Sequence, residues 1–118
     1  MKQILTTLII ISVTAWTNGQ IGNTAEHLTI GNDNISSTLQ VGYSNDAYIE
    51  QTGDLNKAFQ VQKGDDNDAI QTQKGIINMA LIFQKGNGNY TSHYQQGVAN
   101  LAVSTIIGNY NNSVIVQH

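Results

Sequence analysis

The side chains best suited to chemistry are two histidines, a run of carboxylates and a scatter of hydroxyls and amides. His27 and His93 stand far apart along the chain, and neither has Cys, Asp or Glu at metal-ligand spacing beside it. Asp65, Asp66 and Asp68 form an acidic group, but the Gly-Asp spacing of calcium-binding repeats is missing around them, so they read as a solvated turn. Asn34-Ile35-Ser36, Asn89-Tyr90-Thr91 and Asn111-Asn112-Ser113 match the glycosylation sequon. The pattern described below accounts for those asparagines without any glycan, and inward-facing ones would be closed to modification. No nucleophile and base can be paired from spacing, so the residues argue against an enzyme and call for no cofactor and no metal.

What remains conspicuous is the amides, and their spacing defines the elements. Asn recurs every eleven residues at Asn23, Asn34, Asn45, Asn56, Asn67, Asn78, Asn89, Asn100 and Asn111. Two residues after each Asn comes a small residue, most often Ala. Six after it comes Gln40, Gln51, Gln62, Gln73, Gln84, Gln95 or Gln117, with Thr29 and Ile106 as exceptions. Eight after it comes Gly31, Gly42, Gly53, Gly64, Gly75, Gly86, Gly97 or Gly108. The unit is N-x-A-x-x-x-Q-x-G-x-x.

An eleven-residue period also suits a right-handed helical coiled coil. One Gly and one Asn per repeat would cost such a helix roughly 1.5 kcal/mol each time relative to Ala. Offsets of 0, 2 and 6 have instead the period of two of a strand with its constant residues on one face. Each repeat is therefore a strand of about seven residues followed by a turn from Gly to the next Asn. Simple hairpins would not stack identical residues. If each strand turns a corner into an opposing sheet, residues two repeats apart lie above one another. The expected fold is all-β: a β-solenoid of strand-turn arms with two facing parallel sheets, about four and a half coils at ~4.8 Å each. Inward Asn and Gln then form amide ladders, each side chain bonding to its copy in the next layer. His27 and His93 both face inward, three coils or roughly 14 Å apart, too far to share a metal ion.

Composition agrees with such a stack. Charged residues are only 11% of the 118-residue chain, and there is neither Pro nor Cys. A chain so poor in oily residues needs another source of cohesion, and no disulfide can supply it. The formal charge of −3 gives no basic footprint for nucleic acid. At the N-terminus, Lys2 followed by the apolar run Ile4 to Val13 reads as a secretory signal peptide, too short to span a bilayer. Cleavage is expected after Gly19, with Ala15 as the second choice. The organisation is then a signal peptide over 1–19 and one repeat domain over 20–118.

Segments such as Asn45-Asp46-Ala47-Tyr48-Ile49-Glu50-Gln51-Thr52-Gly53 and Asn78-Met79-Ala80-Leu81-Ile82-Phe83-Gln84-Lys85-Gly86 resemble the curlin repeat. The resemblance extends from Asn23 to the C-terminus. It implies a curli-type fibre of self-associating subunits, nucleated at the surface of a Gram-negative bacterium, with roles in biofilm matrix and adhesion. It also implies a related nucleator or fibre subunit, an outer-membrane secretion pore and accessory proteins as partners. Two departures stand out. Curlins usually carry a targeting segment before the first repeat, and here little precedes Asn23; targeting then resides in the irregular first arm or uses another route. The nucleator branch tends to end in an irregular basic repeat, whereas the arm from Asn111 to Gln117 is regular and lacks Lys and Arg. That favours a fibre-forming subunit, with the nucleator as the alternative.

A monomeric ice-binding or adhesive solenoid would need a regular outer face. Outward positions here are mixed, as in Asp46, Tyr48 and Glu50 against Asp68, Ile70 and Thr72. The final arm also keeps the repeat to Gln117, like an uncapped end. Sorting outward residues by sheet gives one acidic face with scattered aromatics, bearing Glu26, Asp46, Tyr48, Glu50, Asp68, Tyr90 and Tyr94. The other is apolar, bearing Ile35, Leu39, Phe59, Val61, Met79, Leu81, Phe83, Leu101 and Val103 with Lys57. The apolar face is expected to make lateral contacts between protofilaments or with a hydrophobic surface.

Overall fold

The computed structural model describes residues 22–118. The expected signal peptide and both expected cleavage points lie outside the described residues.

Nine strands follow one another: β1 (Thr24–Ile30), β2 (Ile35–Val41), β3 (Asp46–Asp54), β4 (Lys57–Lys63), β5 (Asp68–Ile76), β6 (Met79–Lys85), β7 (Tyr90–Val98), β8 (Leu101–Ile107) and β9 (Asn112–Gln117). Odd strands form one sheet in the order β1-β3-β5-β7-β9, and even strands form the other, β2-β4-β6-β8. Every pairing is parallel, and like residues meet: Ala47 with Ala69, Gln51 with Gln73, Ala58 with Ala80, Gln62 with Gln84. The chain is a β-solenoid whose coil takes two arms. In-register repetition fixes the pairing, because a slip of one residue would turn every inward amide outward.

The interior is narrow. Ala47, Ala58, Ala69 and Ala80 are fully buried between the sheets. Their small side chains let the two backbones approach, and the buried volume is then filled largely by Asn and Gln rather than by aliphatic residues.

The corners differ from expectation in two respects. First, β3, β5 and β7 are nine residues long because the ladder continues through Gly53, Gly75 and Gly97. On the other side the strands stop at Lys63 and Lys85, before the glycine. Second, each corner holds two left-handed positions, not one. The glycine has φ near +120°, as at Gly42 (123°), and a Cβ there would collide with the carbonyl oxygen of Gly64 one layer on. The residue just before the next Asn is also left-handed: Asp33, Ser44, Leu55, Asp66, Ile77, Ala99 and Tyr110 have φ between 52° and 59°. For a non-glycine residue this costs roughly 1–2 kcal/mol. Backbone bonds between layers hold the strained corners, as in Leu55 N–H to Asn32 O (2.9 Å) and Ile77 N–H to Asp54 O (3.0 Å).

Candidate functional site

The repeat Asn does two jobs at once. Within the column, Asn67 Nδ2 donates to Asn45 Oδ1 (2.9 Å), and Asn89 Nδ2 donates to Asn67 Oδ1 (2.9 Å). The same Oδ1 atoms accept the backbone N–H of the next Asn, as in Asn67 N to Asn45 Oδ1 (3.1 Å). In addition the Nδ2 of each repeat Asn from Asn23 to Asn89 straps a corner by donating to a glycine carbonyl, as in Asn45 to Gly64 (2.7 Å) and Asn67 to Gly86 (2.8 Å). Asn56 and Asn78 repeat this arrangement in the other sheet, donating to Gly75 (3.0 Å) and Gly97 (3.1 Å). The column continues through Asn23, Asn34, Asn100 and Asn111. Asn111, in the last layer, is exposed, so not every sequon asparagine is shielded.

The Gln columns run the opposite way. Gln51 Nε2 donates to Gln73 Oε1 (2.8 Å), Gln73 to Gln95 (2.9 Å) and Gln95 to Gln117 (2.9 Å). In the even sheet Gln40 donates to Gln62 (2.9 Å) and Gln62 to Gln84 (3.1 Å). Asn amides thus donate toward the Asn23 end and Gln amides toward the Gln117 end, so the two ends of the stack differ chemically. The exceptions have visible consequences. Thr29 is too short to reach Gln51, and Thr29 Oγ1 and Gln51 Oε1 are both buried without a hydrogen-bond partner. Ile106 ends the even column; Gln84 Nε2 keeps the bond to the backbone sixteen residues back that the other ladder glutamines make (Asp68 O, 2.9 Å) and, with no amide in the next layer, also donates to Thr91 Oγ1 (3.0 Å).

A third inward position, midway along each strand, is not uniform. It holds His27, Thr38, Ile49, Gln60, Gln71, Ile82, His93, Ser104 and Ile115. His27 Nε2 pairs with Thr38 Oγ1 (2.8 Å), and His93 Nε2 with Ser104 Oγ (2.7 Å). Burial lowers the His93 pKa to about 4. Among the described residues no three His, Asp or Glu side chains gather around a common point where a metal ion could sit. Gln60 and Gln71 reach backbone carbonyls of the facing sheet, Tyr48 O (3.1 Å) and Phe59 O (3.2 Å).

One further column escaped the repeat unit. Asp65, Asn87 and Asn109, each 22 residues apart, accept the backbone N–H of the corner residue in the preceding layer. Asp65 Oδ1 accepts from Tyr43 N (2.9 Å), and Asn109 Oδ1 from Asn87 N (2.9 Å). Their common spacing was the available signal. Asp66 is one of the left-handed corner residues. Asp68 lies on β5 opposite Asp46, and its pKa is raised by burial and then by that neighbouring carboxylate.

The outer face of the even sheet is a grid of apolar side chains. Ile35, Leu39, Leu81, Phe83, Leu101 and Val103 are exposed, and Phe59, Val61 and Met79 are half-buried beside them. Adjacent layers pair Phe59 with Leu81 and Leu81 with Val103. The odd sheet carries Glu26, Asp46, Tyr48, Glu50, Asp68, Tyr90 and Tyr94 outward. Burial, with Glu50 and Glu26 nearby, raises the Tyr48 pKa.

Among the described residues, β1 and β2 at one end of the stack and β8 and β9 at the other pair with a strand on one side only. A family model, the curlin associated repeat, matches the sequence over residues 31–59 and again over 42–75. Residues 31–75 carry the curlin repeat. Neither a curated protein nor a solved structure matches the chain. The curlin match covers the arms from Asn34 to Gly75; the arm at Asn23, with Thr29, and the arms from Asn78 on, including that with Ile106, lie outside it.

Proposed function

We propose that this curlin-repeat chain is a structural subunit of an extracellular, curli-type functional amyloid fibre. It is non-catalytic and self-assembles at the surface of a Gram-negative bacterium, in biofilm matrix and adhesion. The observation that carries this reading is the open, directional ladder. The Asn columns run through every described layer, and the odd-sheet Gln column reaches Gln117 in β9, so another copy can extend these columns without any new type of contact. In this proposal the chain is an elongating subunit, with a nucleator as the alternative; the arm from Asn111 to Gln117 keeps the repeat, Gln117 standing in line with Gln95. An outer-membrane pore, accessory proteins and a related nucleator complete the proposed partner set. The apolar grid on the even sheet is proposed as the lateral contact, since contiguous exposed apolar area of this kind marks interaction surfaces.

The test is assembly of the purified mature chain alone, with and without seeds. Fibres should bind amyloid dyes and diffract at ~4.7 Å along the axis and ~10 Å across it. A soluble monomer that persists for days at high concentration would refute the reading.

A further inference from the structure

The described residues hold nine arms, an odd number, in a coil that takes two. This parity constrains how a second copy of these nine arms can continue the stack. The slot above β8 comes next along the coil, in the even sheet. A copy added by simple translation would place its β1 over β9, leaving that slot empty and the even sheet broken by one strand. A copy turned by half a revolution about the stacking axis instead places β1 in the empty slot over β8, and β2 over β9. Strands of the two sheets run in opposite senses around the coil. The half-turn exchanges both position and sense, so the new pairings remain parallel.

The edge residues agree with the half-turn. Over β8, it stacks Asn23 on Asn100, Ala25 on Ala102 and Thr29 on Ile106. Over β9, it stacks Asn34 on Asn111, Ser36 on Ser113 and Gln40 on Gln117. The two arms that lack the ladder Gln therefore meet each other, and Gln117, whose column donates toward this end, meets a Gln. At the corner, Asn109 comes under Asn32, which supplies the next side-chain oxygen for the column of Tyr43, Asp65 and Asn87. Simple translation instead puts Thr29 in the layer after Gln117, so the amide that would donate onward meets no glutamine oxygen. Outward pairs discriminate less, because solvent reaches them in either arrangement.

We infer that successive copies join end to end with a half-turn, β1 on β8 and β2 on β9 of the neighbour, advancing ~22 Å per copy at half a strand spacing per arm. The inference rests on the fibre reading above and specifies its joint. Each side of the filament then alternates between the apolar even face of one copy and the acidic odd face of the next.

Because the chain has no Cys, thiol pairing can read the joint directly. Fibres are grown from equal mixtures of single variants, oxidised and counted for disulfide-linked dimers. Ser37→Cys with Val114→Cys tests β2 on β9, and Glu26→Cys with Val103→Cys tests β1 on β8. Glu26→Cys with Val114→Cys tests translation. The first two mixtures should give at least about tenfold more dimer than the third, because only adjacent strands bring Cα atoms within the ~4.4–6.8 Å that a disulfide spans. Fibres in which the third mixture links best, in which Val114→Cys links to itself, or in which nothing links overturn the half-turn and leave the fibre reading standing. A parent chain that forms no fibres overturns both.

Discussion

Replacing Thr29 by Gln should stabilise the folded chain. Thr29 Oγ1 and Gln51 Oε1 are both buried without a partner, one layer apart in the same column. A buried unsatisfied polar group costs about 1–3 kcal/mol. In its column each Gln donates from Nε2 to Oε1 of the next layer, so Gln at position 29 places its amide on Gln51 Oε1 and removes the stranded hydroxyl. Ordering the longer side chain costs up to roughly 2 kcal/mol. The introduced amide oxygen has no donor in a preceding layer, so one stranded group is removed net, and the balance is a gain of about 1 kcal/mol, a factor of about 5 in the folding equilibrium. Equilibrium unfolding in guanidinium, followed by far-UV circular dichroism below the concentration at which fibres appear, measures it. In a half-turn joint the same substitution sets a buried amide against Ile106 of the neighbour, so seeded elongation should slow while stability rises. Adding Ile106→Gln should restore elongation. A Thr29→Gln chain no more stable than the parent would show that the Gln column does not organise the interior.

Three other outcomes are expected. Gly64→Ala and Gly108→Ala incur similar backbone strain, at φ 123° and 126°, but only the first Cβ meets a carbonyl of the next layer, that of Gly86. In unfolding experiments Gly64→Ala should therefore cost about 1–3 kcal/mol more, the usual penalty of overpacking, while Gly108→Ala should fold yet elongate poorly because its layer is closed by the incoming copy. His93 has a pKa lowered by burial from 6.5 to about 4, so between those values the unfolded chain binds more protons. Its contribution is complete above pH 6.5 and declines by up to about 3 kcal/mol as pH falls to 4; guanidinium midpoints at pH 7 and 4.5 should converge in His93→Gln. Asp68, with its pKa raised, works in the opposite sense and offsets part of that loss as pH falls toward its folded pKa. Finally, Asp at Phe59, Leu81 and Phe83 together should leave the ~4.7 Å spacing intact but give thin, unbundled, less adhesive fibres by electron microscopy and surface-binding assays.

The two-sheet solenoid was legible because its constraints are repeated. Asn, Ala, Gln and Gly at even offsets define one inward face, and their eleven-residue recurrence defines register. The strained residue before each Asn was not legible. That position is occupied by Asp33 and Asp66, which suit a left-handed turn, but also by Leu55, Ile77 and Ala99, which do not. There the stacked corner overrides local preference, and no single residue type announces it. The strap from Asn to the glycine carbonyl was hidden for a different reason: spacing shows which residues align, not that one amide serves two partners. The extra length of β3, β5 and β7 arises from the same tertiary cause, since every corner carries its glycine at the same offset.

The mixed central position has a consequence of its own. Asn, Gln and Gly columns are so alike from layer to layer that they could not, alone, tell a correctly wound coil from one displaced by a whole turn. The central residues can. A displacement by one coil would set Gln60 in the place of Ile82, and Gln71 in that of His93; backbone carbonyls recur in every layer, but the Ser104 hydroxyl would lose the imidazole it now meets. The line from His27 to Ile115 thus works as an index, giving each layer an address within an otherwise anonymous repeat. A chain with that line made uniform should keep its cohesion and lose its count, winding into coils of mixed registry.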